Sequence, residues 1–406
     1  MLRTYLRKFK RFLERTQEYF RLLAQFIVFS AANQFKRLND GKPKIVFILN
    51  EEKLYRDADG SGRYPYLILN AFSEGDHSVY LFKRVDFRCF RRLSHYGRDI
   101  YYIKNLKVIS RLPKDPESYI LVFDNESLDP SVLKMGWKRR VYLNAFKPPS
   151  WETGDYRMWV PYFMHMLMYR FKEHQKLDIY RTGDKKIRVF FAGNTDKTYY
   201  DNPNLKVLYG QMTRIEGIRA LLELGDPVRR ILDTNELKDK LTSPGYRNNC
   251  EIFETNRFTI RPEQWFGVLS RMDFFVCLSG TDLPMCHNVI EAMALGVIPI
   301  ISYPDWFFPP LEHKKNAILY HGKEGLQKAV REVLAMDETV IRSMRKNAIA
   351  YYEENLSIAT FVKRFSAKND KLGTWILHPR YVCTDGDIKE HSRASFVRML
   401  ELLNSV

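Results

Sequence analysis

The stretch that most constrains this chain is Phe274 to Pro304, FFVCLSGTDLPMCHNVIEAMALGVIPIISYP. Phe274 to Leu278 is an apolar run of strand length, and Ser279-Gly280-Thr281-Asp282 is turn chemistry. Asn288 is of a type that caps helices. Val289 to Leu295 then sets apolar residues at helical spacing. Gly296 stands where a helix ends in a left-handed residue. Val297 to Ser302 is a second buried strand, and Pro304 stops it. A strand, loop, helix and strand in this order form the repeating element of parallel α/β sheets, so an α/β fold is expected.

The loop and the helix start carry the chemistry. A helix N-terminus presents unpaired N–H groups and a positive dipole end, which favour phosphate. Ser279, Gly280 and Thr281 are small enough to let a ligand approach the backbone, and His287 and Asn288 stand at the helix start. Glu291 follows one turn in, with no Lys or Arg four residues later to pair with. A lone carboxylate beside a phosphate site holds a ribose hydroxyl in dinucleotide folds. A structural Glu in an ordinary α/β helix is the competing reading.

Glu291-Ala292-Met293-Ala294-Leu295-Gly296 followed by Ile298-Pro299-Ile300 resembles the nucleotide-sugar half of GT-B glycosyltransferases. Within these it is most similar to the exostosin-like group, with Cys277-Leu278 and Ser279-Gly280 as further matching pieces. Arg188-Val189-Phe190-Phe191-Ala192-Gly193-Asn194 resembles the first strand and Gly turn of the same domain. The likeness runs from Arg188 to Tyr320. It departs at Val289, where that group carries Arg. The resemblance implies two Rossmann-like domains facing a cleft, with the donor on the second and the acceptor on the first. It implies donor contacts from Gly193, Asn194, Lys197, Ser279, Gly280, Thr281, His287, Asn288 and Glu291, with Phe258 stacking on the base. It favours inversion over retention.

With 406 residues the chain has room for two ordinary domains. The net charge of +17 calls for an acidic partner: phosphates, anionic lipid, nucleic acid or an acidic polymer. Against nucleic acid, the charges are dispersed after residue 40 and no recognised motif is present. The five cysteines are odd in number and scattered, with no CxxC pair. That disfavours a disulfide framework or structural zinc and fits a reducing compartment.

Met1 to Leu38 is basic and apolar at once. Leu2, Leu6, Phe9, Phe12 and Leu13 fall three and four apart on one helical face, with Lys8, Arg11 and Arg15 towards the other. Arg21 and Gln25 interrupt the more apolar part, so a transmembrane helix is not expected. Two readings stand: a helix lying on an anionic membrane, or one packed on protein.

Lys44 to Leu49 (KIVFIL) reads as a buried parallel strand. Asp57-Ala58-Asp59-Gly60-Ser61-Gly62 imitates the start of an EF-hand loop, but its twelfth position is Ile68, so calcium is rejected. It is also no DxD metal motif, since it sits in a turn rather than ending a strand. Read as a Gly-rich βα loop, it offers Asp57 and Asp59 as general bases for an acceptor hydroxyl. Solvated turn aspartates are the competing reading. Strand-like runs follow at Ser78 to Phe82, Tyr101 to Ile103, Tyr119 to Phe123 and Arg140 to Leu143. Asp124 closes one of them, at the strand end where open α/β sheets place ligands. His165 lies in an aromatic, Met-rich stretch and is either a catalytic group or a packing residue. Helices are expected at Tyr66 to Ser73, Leu237 to Leu241, up to Leu269, Lys323 to Leu334, Glu338 to Asn355 and Ile358 to Phe365. Arg214 and Arg219 are expected to be exposed.

The expected organisation is a basic amphipathic helix over 1–40, an acceptor-side α/β domain over 41–180 and a nucleotide-sugar domain over 181–350. The helices and tail of 351–406 are expected to cross back in part to the first domain. The expected activity is sugar transfer from a nucleotide-sugar to a glycan or lipid-linked glycan. No cofactor or divalent metal is expected, and the expected location is cytoplasmic and peripheral on a membrane. A hydrolase or epimerase of sugar nucleotides is a second reading. A surface-binding protein for membrane or nucleic acid, with a degenerate nucleotide site, is a third.

Overall fold

In a computed structural model, residues 2–49, 63–93, 95–124, 128–144, 157–281, 283–367 and 372–376 are described. The chain forms two compact units. One is Met1–Met158 together with Val362–Trp375, and the other includes Trp159–Phe361.

The first unit is built on β1 (Lys44–Ile48), β2 (Ser78–Phe82), β3 (Leu106–Ile109), β4 (Tyr119–Phe123) and β5 (Arg139–Asn144). These pair in parallel in the order β3-β2-β1-β4-β5. β6 (Arg157–Trp159) and a late strand, Leu372–Ile376, extend the sheet beyond β5. The KIVFI core strand is buried from Ile45 to Ile48, as a continuous apolar run in the middle of a parallel sheet must be. Parallel pairing needs crossovers, and the helix Arg63–Glu74 supplies the first, slightly longer than its apolar pattern suggests. Two details differ from expectation. Ile100–Tyr102 is a 3-10 turn rather than a strand, and the strand Leu106–Ile109 follows it. In YYI all three residues are apolar or aromatic, so alternation cannot separate a buried turn from a strand there.

The helix α1 (Leu2–Phe35) belongs to this unit. Phe29 packs 4.5 Å from the Tyr101 ring and 6.0 Å from Phe90, with Phe26 5.5 Å from Phe90. Further along, the Asn33 side chain accepts from Val108 N–H at 2.8 Å and donates to Val108 C=O at 2.9 Å. β3 is an edge strand, so this amide pairs backbone groups that the sheet leaves open. The chain returns to the unit at its far end. Phe365 lies 4.9 Å from Phe72, and Arg139 stacks over the Phe365 ring at 4.1 Å.

The second unit carries six parallel strands in the order β12-β11-β10-β7-β9-β8. They are β7 (Ile187–Gly193), β8 (Val228–Arg230), β9 (Arg247–Glu254), β10 (Met272–Cys277), β11 (Ile298–Ile301) and β12 (Ile318–Leu319). Val189, Phe274, Val276, Ile298 and Ile300 on the strands meet Leu326, Val330 and Val333 of a helix spanning Gly322–Leu334. Each such side chain contributes roughly 1.5–3 kcal/mol on full burial. Two parallel α/β sheets, as expected from the Phe274 to Pro304 grammar, are therefore present.

The division between units differs from the expected 180/181 boundary. Residues 159–180 lie in the second unit. Their Phe163, Met164, Met166 and Met168 are buried.

Candidate active site

The site gathers at the carboxyl ends of β7 and β10 in the second unit. β10 is buried throughout and ends at Cys277. A helix His287–Ala294 follows the loop, and Gly296, at φ +70°, takes the left-handed position that releases the chain into β11. Asn288 does not cap this helix. Cys286 occupies the cap position, and Asn288 lies in the first turn with its amide donating to Ala192 C=O at 3.4 Å. The first turn holds no acidic residue, and no side chain caps it by hydrogen bonding. Burial raises the Cys286 thiol above its ordinary range, against the opposing pull of Arg214.

Glu291 is 1% exposed, and it is not a lone carboxylate. One oxygen accepts the backbone N–H of His165 at 2.9 Å, and the other accepts Trp265 Nε1–H at 2.6 Å. Neither donor could be anticipated from the helix spacing, because both come from elsewhere in the chain. His165 caps the short helix Met166–Arg170 through Nδ1, which accepts from Leu167 N–H at 3.3 Å. Its ring lies 4.8 Å from the His287 ring. Two imidazoles thus stand together at the start of His287–Ala294, one delivered by the helix itself and one carried on the turn whose backbone N–H Glu291 accepts.

Arg214 departs most from expectation, being 6% exposed rather than solvated. Thr213 and Glu216 form a capping box that places Arg214 at the first position of the helix Arg214–Leu222. From there Nε donates to Ser279 C=O at 3.1 Å and Nη1 to Asn194 C=O at 3.0 Å. Nη2 points to Cys286 Sγ at 3.6 Å, and the guanidinium stacks over Tyr200 at 4.0 Å. It ties the loop after β7 to the loop after β10. The Thr-x-x-Glu spacing marks this helix start in the sequence, but not the partners of Arg214.

The remaining candidates are placed as follows. Gly193 closes β7 and accepts Thr255 N–H at 3.0 Å. Asn194 Oδ1 accepts from Asp196 N–H at 2.8 Å. Ser279 is buried, and its hydroxyl donates to Met212 C=O at 3.0 Å. Gly280 lies so close to the loop that a Cβ would meet Leu283 O at 2.7 Å. Thr281 C=O accepts from Asn202 at 3.1 Å. These small residues therefore serve loop closure as well as ligand access. Lys197 is exposed and begins a four-residue helix. Phe258 is half-buried, 6.1 Å from Phe253 of β9. Asp124 follows β4 in the first unit, half-buried, and its N–H donates to Ile48 C=O at 3.3 Å. Asp57 and Asp59 lie outside the described residues. Among the described residues, no group of three or more His, Cys, Asp or Glu is placed to hold a metal ion.

No family model matches the chain, and no curated protein does. Solved structures align with the chain at low identity and with TM-scores below 0.5. Anabaena HepE in complex with UDP aligns at 12% identity and TM-score 0.42, covering 80% of this chain and 98% of that one. A glycosyltransferase from Rickettsia africae aligns at 8% identity and TM-score 0.43, covering 80% and 97%. A trehalose-6-phosphate structure from E. coli, bound with UDP-2-fluoro glucose, aligns at 11% identity and TM-score 0.42, covering 80% and 98%.

Proposed function

We propose that the second unit binds a nucleotide-sugar and that the chain transfers the sugar to a glycan or lipid-linked glycan acceptor. The observation that carries this reading is the start of His287–Ala294. Its N-terminus lacks an acidic residue and a side-chain cap, and the paired rings of His165 and His287 stand beside it. Such an end favours a diphosphate, and its position at the carboxyl ends of parallel strands is where open α/β sheets take ligands. The resemblance of Glu291 to Ile300 to the exostosin-like GT-B pattern supports the same reading.

In this proposal the acceptor oxygen attacks the anomeric carbon of the donor, and the bond from that carbon to the diphosphate breaks. The acceptor proton passes to a carboxylate, for which Asp124, Asp57 and Asp59 are the candidates. The helix dipole and the imidazoles stabilise the departing nucleoside diphosphate in place of a divalent metal. The described cysteines are unpaired, which fits a cytoplasmic enzyme.

The test is thermal stabilisation of the whole chain by UDP, GDP, CMP and ADP, each with and without EDTA, compared with His287→Ala. A ligand at 100 times its Kd adds about 2.7 kcal/mol to stability. One nucleotide should raise Tm, EDTA should leave the rise intact, and His287→Ala should reduce it. No rise with any nucleotide, alone or with acceptor sugars present, removes the reading. Nucleotide release that proceeds without acceptor would identify a hydrolase or epimerase instead.

A further inference from the structure

Helix α1 packs on its unit with one face only. Leu22 and Phe29 are buried, and Phe26 joins them against Phe90. Residues two positions away lie about 200° round the helix, and there the side chains are large, apolar and open. Phe9 is 60% exposed, Phe20 62% and Ile27 58%. Leu13 falls on the same stripe, with Phe12 and Val28 beside it and also exposed. From Phe9 to Ile27 the stripe runs about 27 Å at the helical rise. A stripe of this length facing solvent marks an interaction surface.

The charge on the opposite face of the segment selects the occupant. Met1 to Leu38 holds nine Lys or Arg against two Glu. Both acids are already matched within the helix, Glu18 to Arg21 at 2.6 Å and Glu14 to Lys10 at 4.0 Å. Arg11 and Arg15 lie on the Leu22 side of α1, opposite the stripe, where with Arg91 they line a groove that also holds Glu14, Glu18 and Tyr19. A second copy laid on the stripe would bring two such cationic helices together and is opposed by repulsion. The stripe is also convex, presenting a helix surface rather than a groove shaped for one partner. A surface that is fluid, apolar beneath and anionic at its boundary meets all of these features. No described helix is long and apolar enough to cross a membrane, so the contact would be along the helix.

We infer that α1 docks this protein on an anionic lipid bilayer, with Phe9, Leu13, Phe20 and Ile27 entering the headgroup boundary and the arginines and lysines of the segment drawn to lipid phosphates. This stands apart from the sugar-transfer reading, since it uses no residue of the second unit. The test is co-sedimentation of the full chain with phosphatidylcholine vesicles, with and without phosphatidylglycerol. Three proteins are compared: wild type, Phe9→Asp/Phe20→Asp/Ile27→Asp, and Lys10→Glu/Arg11→Glu/Arg15→Glu. All six sites are exposed, and an unchanged melting temperature confirms each fold. Wild type should bind the anionic vesicles and release them in high salt. Each triple variant should lose at least about tenfold in partitioning. Absence of wild-type binding overturns the inference, as does binding that neither variant weakens. A dimer in light scattering that the aspartate variant dissolves, without vesicle binding, would assign the stripe to a second copy.

Discussion

The Glu291 carboxylate accepts the His165 backbone N–H at 2.9 Å, joining a helix after β10 to a segment 126 residues earlier. Its other oxygen takes Trp265 Nε1–H at 2.6 Å. The role of Glu291 is thus first one of position. It holds the turn that carries the His165 ring to within 4.8 Å of the His287 ring.

Glu291→Ala strands two donors in the interior, each at a cost of about 1–3 kcal/mol. The expected loss is about 2–4 kcal/mol of unfolding free energy, read by urea denaturation. Glu291→Gln keeps one acceptor oxygen and should lose less. If Glu291→Ala melts like wild type, the two bonds contribute nothing to the fold.

Arg214→Ala removes a buried guanidinium that spans two loops through Ser279 and Asn194. Hydrogen bonds from charged donors contribute about 1.5–3 kcal/mol each. A drop of about 3 kcal/mol is expected, together with loss of any nucleotide-induced rise in Tm. Arg214→Lys should not restore it, because an ammonium cannot reach both carbonyls and stack on Tyr200 at once. Full rescue by lysine would show that charge alone matters.

Gly280→Ala drives a Cβ against Leu283 O at 2.7 Å and Met285 O at 3.2 Å. Both are backbone atoms, so the loop before His287 must shift. The expected cost is about 1–3 kcal/mol, with weakened nucleotide binding in the same thermal assay. Unchanged binding would separate this loop from the ligand.

Lys185 gives a pH dependence whose sign can be stated. Its ammonium is partly buried, donates to Ser270 C=O at 2.6 Å and is pushed down from 10.5 to about 7. Burial is the main cause and Arg345 adds to it, while Asp273 and Glu338 oppose it. Between about pH 7 and 10.5 the unfolded chain holds a proton that the folded chain has released. Stability therefore rises with pH across that window and is lowest, from this group, below pH 7. Residual solvent contact makes the rise smaller than the full shift implies. Urea midpoints for wild type and Lys185→Met at pH 6, 7, 8 and 9 give the readout. Methionine should flatten the rise, and parallel curves for the two proteins would remove Lys185 as its source.

The sequence by itself determined the parallel α/β character and most elements that build it. Ile45 to Ile48 and Phe274 to Cys277 are continuous apolar runs, and only a sheet covered on both faces buries such runs. The turn glycine Gly296 was legible for the same local reason, since its φ of +70° suits no other residue as well. The site was legible only as a neighbourhood. Ser279 to Glu291 lies at a strand end because the chain order puts it there. Which side chains meet was decided by tertiary structure. The partners of Glu291 are His165 and Trp265, and Arg214 reaches Ser279 across 65 residues. Hydrogen bonds between distant segments leave no periodic trace in a sequence, since periodicity records only what one element does with its own faces. For α1 the same division holds. Its amphipathic pattern was visible, but only packing showed that Leu22 and Phe29 face the protein and leave Phe9, Phe20 and Ile27 outside.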